Sequence, residues 1–118
     1  MQIVEAKADW LVQGLNKDMQ TNALINAMCA RMHRDGQPMP VVVDDATCRV
    51  LAGASAVEAA VLLEWDDEGR MLQVALHDGS PLCSEIVCWW RRFEQPVTAP
   101  DFPEGALEGA IRGIEAGA

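Results

Sequence analysis

Residues 2–11 open with Ile3-Val4 and then place apolar side chains at Ala6, Ala8 and Trp10, a period of two that predicts a β-strand. The polar residues 13–18 read as a loop. From Thr21 the period lengthens: Leu24, Ile25, Met28, Cys29 and Met32 fall on one face of a helix. Thr21 or Asn22 is placed to cap its start, and Arg31, His33 and Arg34 put positive charge near the negative end of its dipole. Gly36 ends that helix, and Pro38 and Pro40 bar its continuation. Val41-Val42-Val43 suits a buried strand, Asp44-Asp45 a turn, and residues 48–52 a returning strand broken by Gly53. Residues 55–65 are helical, with Ala56, Val57, Ala59, Ala60 and Leu63 available for packing and Ser55 with Glu58 in the spacing of a capping box. After the acidic turn at residues 66–70, residues 71–77 form a strand. Ser80 and Pro81 then start a helix that packs through Cys83, Ile86, Val87 and Trp90 and runs to about Phe93. Pro96, Pro100 and Pro103 interrupt the next stretch, and residues 104–118 carry a helical pattern through Leu107, Ile111 and Ile114, diluted by glycine. The expected architecture is α/β (α+β): a small mixed sheet with three helices over residues 1–94, and a Pro/Gly-rich C-terminal arm over residues 95–118.

Composition narrows the class. Half of the 118 residues are hydrophobic, enough for a single buried core, and no apolar run approaches the roughly 18 residues that a membrane span requires. No basic segment with an apolar stretch behind it opens the chain, so a cytoplasmic location without membrane attachment is expected. Nine Lys+Arg against eighteen Asp+Glu give a formal net charge of -9, which disfavours a surface that tracks phosphates. The cysteines, Cys29, Cys48, Cys83 and Cys88, sit in apolar stretches and are expected to be reduced core residues. Neither they nor His33 and His77 show the short paired spacing of zinc ligands, so no metal or other cofactor is expected. Gly-rich phosphate loops, nucleophile elbows and His-Glu metalloprotease motifs are lacking, and no catalytic residue is assigned.

Three segments together resemble the ParB N-terminal domain and the related sulfiredoxin-like, ParB-like nuclease fold. Residues 2–11 look like that family's first strand. Residues 33–43, HRDGQPMPVVV, are similar to its helix end, glycine, proline and apolar strand. Val50-Leu51-Ala52-Gly53, with Ala59-Ala60 beyond, matches its signature strand–glycine–helix segment. The resemblance implies a phosphate-binding cluster just after the glycine, where cations reinforce the free N–H groups of a helix start. In this chain the stretch is Ala54-Ser55-Ala56-Val57-Glu58, without arginine, lysine or histidine, and Glu58 brings the opposite charge. Of the implied site only Gly53 and Ser55 are left, a weak remnant. The sulfiredoxin-type cysteine is absent, and Trp89-Trp90-Arg91-Arg92-Phe93-Glu94 stands where the family carries its late polar segment.

Two features fit partner binding. On a helix, Trp89 and Phe93 share a face while Trp90 points about 100° away, so Trp90 is the natural core residue. Trp89, Arg91, Arg92 and Phe93 have the chemistry of interface hot spots. Asp66, Asp67 and Glu68 form the densest acidic run, suited to a basic protein surface or to imitating a nucleic-acid backbone. The function expected is therefore a non-catalytic acidic protein-binding module whose partner presents a basic surface. Phage- or plasmid-type inhibitors and regulators of nucleic-acid-handling complexes, CRISPR effectors among their targets, have this character. The alternative is a ParB-like nucleotide- or DNA-binding protein, or nuclease, working through Gly53 and Ser55.

Overall fold

The computed structural model describes residues 2–15, 22–78, 84–93 and 104–117. The expected caps at Thr21, Ser80 and Pro81, the loop beyond Leu15, Cys83 and the prolines at 96, 100 and 103 lie outside the described residues. The elements run β1 Gln2–Ala6, α1 Ala8–Val12, α2 Asn22–Asp35, β2 Val41–Asp44, β3 Val50–Ala52, α3 Ala54–Leu62, β4 Leu72–His77, α4 Ser84–Phe93 and α5 Ala106–Gly117. The α/β class holds, with five helices among the described residues where the hydrophobic pattern predicted three.

The two additional helices have identifiable origins. The predicted strand at residues 2–11 ends at Ala6, and Ala8 begins a one-turn helix instead. Its N-terminal N–H groups are satisfied from far along the chain: the Asp66 carboxylate accepts from Ala8 N at 3.0 Å and from Asp9 N at 2.8 Å. A helix this short does not persist on propensity alone, and that tertiary cap is invisible to local periodicity. The second is α5, whose Ile114 is buried in the core and whose Ala106 and Ala110 pack against it.

The sheet order is β1–β4–β2–β3. β1 runs antiparallel to β4, β4 parallel to β2, and β2 antiparallel to β3. Val41, Val42 and Val43 are all buried although successive strand residues point to opposite faces, so both faces of the sheet are covered at β2. α2 packs on α3 and α1 on α3, while α4 lies against β3 and α5 against β1. Gln37 extends the β2–β4 ladder with its side chain: Gln73 N donates to Gln37 Oε1 at 2.7 Å, and Gln37 Nε2 donates to the carbonyls of Gln73 and Met39 at 2.9 and 2.8 Å. The buried amide thereby satisfies backbone groups that would otherwise be orphaned.

Candidate functional site

The segment that resembles a phosphate site lies at the start of α3. Gly53 is its N-cap residue, at φ +91, a left-handed conformation that a residue with a Cβ adopts only under strain. No side chain caps the helix; the predicted capping box places Ser55 two positions too late, because α3 already begins at Ala54. The space beside Gly53 is filled by Trp90. A Cβ added at Gly53 would stand 3.0 Å from Trp90 Cε2, 3.1 Å from Cζ2 and 3.2 Å from Val41 Cα. Trp90 is 0% exposed, and its Nε1 donates to Pro40 O at 2.8 Å, which holds the indole across the β3–α3 junction. Ser55 is also 0% exposed, with its Oγ lacking a hydrogen-bond partner. Residues 54–57 are all buried. Glu58 is half-buried, its Oε2 is shielded without a partner, and burial pushes its carboxyl pKa above the usual range. At this helix start residues 54–58 carry no arginine, lysine or histidine, and Trp90 fills the space beside Gly53.

In the aromatic helix Trp90 turns inward as expected, but Phe93, expected beside Trp89 on the partner-binding face, is buried in the core as well; Trp89 is half-buried, and Arg91 and Arg92 are exposed. The Arg92 guanidinium lies over the Trp89 ring, 5.2 Å from its centroid, at the outer range of a cation–π contact. In the acidic turn, Asp66 is occupied in capping α1, whereas Asp67 and Glu68 are exposed. Glu68 pairs with Arg70 at 3.8 Å, and Arg70 in turn covers the buried Trp65 at 4.0 Å. The two candidate patches are not brought together. Trp90 closes the N-terminal end of α3 and the acidic turn lies beyond its C-terminal end, and α3 alone rises about 12 Å between them.

The cysteines depart from expectation. Cys29 is half-buried, but Cys48 and Cys88 are exposed, and all three are free thiols. Burial pushes the Cys29 pKa up, and its Sγ faces Ala59 O at 3.9 Å, an environment that keeps it protonated and poorly nucleophilic. Among the described residues no group of three or more His, Cys, Asp or Glu converges as metal ligands would, and no helix is long and apolar enough to cross a membrane.

A surface that the sequence pattern did not single out lies on the other side of the β2–β3 hairpin. A groove of about 920 Å³ runs between the end of α1 and this hairpin. Trp10, 57% exposed, and Leu51, 48% exposed, line it together with Cys48 and Arg49. Gly14 permits its closeness: Val50 N donates to Gly14 O at 2.9 Å, and a Cβ on Gly14 would collide with the Cys48 carbonyl. Cys48 itself holds φ +60 so that the hairpin can close, with Cys48 N donating to Asp44 O and Asp44 N to Arg49 O. Local pattern hides Trp10, because strand parity assigns it to the same face as Ala6 and Ala8. Once α1 replaces the strand, Ala8 and Leu11 turn inward and Trp10 turns out. Comparison with family models, with curated proteins and with solved structures returns no match.

Proposed function

We propose that this chain is a non-catalytic, acidic protein-binding module on a ParB/sulfiredoxin-like scaffold, in which the phosphate-binding corner has become part of the core. One observation carries the reading: Trp90 occupies the space beside Gly53 at the start of α3, and Ser55 behind it is sealed from solvent. A bound phosphate draws its affinity from helix N–H groups together with charge-assisted side-chain bonds, each contributing about 1.5–3 kcal/mol. Here the cations are replaced by alanines and a glutamate, and the approach is blocked by an indole. The chain carries a formal charge of -9 and exposes apolar side chains that include Trp10, Leu51 and Leu62. That combination suits a protein partner with a basic surface, such as a nucleic-acid-handling complex exposes, better than it suits nucleic acid itself. Its role there is that of an inhibitor or regulator which docks and performs no chemistry.

Calorimetry of the full chain with CTP, ATP and ADP, beside crosslinked capture from cells of its own source, tests the reading. Capture of one dominant protein, released as salt is raised, together with no nucleotide binding at micromolar concentration, is expected. Micromolar nucleotide affinity, or recovery of DNA in place of protein, overturns it.

A further inference from the structure

The groove beside Trp10 does not stand alone. A second hollow of about 570 Å³ adjoins it across Leu51, lined by Asp44, Asp45, Asp78 and His77 and, among the described residues, by no lysine or arginine. Leu51 therefore stands exposed between an aromatic groove and a carboxylate-lined hollow. Groove volumes of this size accept one or two large side chains. Tryptophan is among the residue types most enriched in interface hot spots, and an exposed Trp–Leu pair on a monomer's surface is apolar area that water solvates poorly. Arg49, the one charged residue among the described residues that line the first groove, discourages a cation there; the three aspartates attract one on the other side of Leu51.

Resting on the protein-binding reading, the geometry points to this double hollow as the docking surface for a partner segment that pairs an apolar side chain with a nearby basic one. The apolar residue packs between Trp10 and Leu51, and the arginine or lysine reaches past Leu51 to Asp45 and its neighbours. The hairpin makes the pairing specific. Cys48 in its left-handed conformation lines the first hollow, and the Asp44 turn, in which Asp44 Oδ1 accepts from Ala46 N at 3.0 Å, lines the second, so that one hairpin contributes to both.

The test is a ¹H–¹⁵N NMR titration of the full chain with a short synthetic peptide carrying leucine and arginine, against the same peptide with glutamate for arginine. Shifts at Trp10, at residues 44–45 and at residues 48–51 are expected with the basic peptide and not with the acidic one. Trp10→Ala weakens binding at least about tenfold, and Asp45→Lys weakens it by about as much while reducing its salt dependence. Both side chains are exposed, so both variants retain the fold, as circular dichroism would verify. Shifts centred on Trp89, equal binding of the acidic peptide, or unchanged affinity in Trp10→Ala overturn the assignment. The same variants separate this surface from the broader protein-binding role. If the captured partner stays bound to Trp10→Ala and to Asp45→Lys, this surface is wrong while the protein-binding reading stands. If no protein is captured at all, that reading fails, and the peptide titration still decides what the groove accepts.

Discussion

Gly53 and Glu58, at and just inside the start of α3, carry the physical consequences of a rebuilt helix start. Gly53 combines a positive φ with close contact to Trp90, whereas Gly69 has φ +71 with nothing within 4 Å of where a Cβ would stand. Gly53→Ala thus meets both backbone strain and overpacking, for a combined loss of about 2–4 kcal/mol, while Gly69→Ala incurs the strain alone, about 1–2 kcal/mol. Urea unfolding of the two variants measures the difference; equal losses would mean that the indole does not press on this corner. Glu58 supplies a pH signature. Its folded pKa is raised by burial, so the folded state binds its proton more tightly than the unfolded chain does. Stability from this group is accordingly present below the ordinary carboxylate range and is lost as pH rises through the raised folded value. Glu58→Gln does not titrate, so its stability relative to the native chain should be near parity at about pH 4 and should improve by about pH 7. Unfolding midpoints at both pH values check the sign, since the other carboxylates are common to the two proteins.

At the scale of elements, the described structure divides into parts that local pattern determines and parts that depend on distant residues. Helix α2, the β2–β3 hairpin, α3 and β4 lie near where their own pattern places them, α2 turning Met28 and Met32 into the core with Leu24 and Cys29 packed against it. Helix α1 does not: its five residues keep the alternation of a strand, and it exists because Asp66, some 58 positions away, accepts its first N–H groups. Asp66→Ala removes both acceptors and should cost about 1–2 kcal/mol, with faster amide exchange concentrated in residues 8–12. Asp67→Ala in the exposed part of the same turn should leave exchange there unchanged, and equal effects of the two would refute the capping role. The same dependence explains how far the candidate surfaces were legible. The helix start at Gly53 and the inward turn of Trp90 were, because a glycine after a strand and a tryptophan on the apolar face leave local traces; the burial of Ser55 was not, since its spacing to Glu58 suggested an exposed cap. That Trp90 would close on Gly53 was not, since about 37 positions separate them and local periodicity does not reach that far. Nor was the Trp10 groove, which needs α1 to be a helix before Trp10 can face outward.

At the scale of the molecule, the question is whether the chain beyond the prolines belongs to the same cooperative unit as the sheet. Its radius of gyration, 13.0 Å, is close to the roughly 13.5 Å of a single folded domain of this length. Helix α5 packs against β1, which among the described residues is an edge strand paired with β4, and so lends that edge tertiary support. The support has a specific side chain: Ile114 is 4% exposed in the same apolar cluster as Val42, Ala75 and Phe93, while glycines at 109 and 113 make α5 a weak helix by itself. A helix with poor intrinsic propensity that still buries an isoleucine draws its stability from the core, and returns it by covering β1. Ile114→Ala should therefore lower global stability by about 2–4 kcal/mol in one cooperative transition. Exchange in β1 should accelerate together with that in α5. A variant that melts α5 alone, leaving the main transition and the β1 amides unchanged, would instead make residues 106–117 an appendage that the sheet does not need.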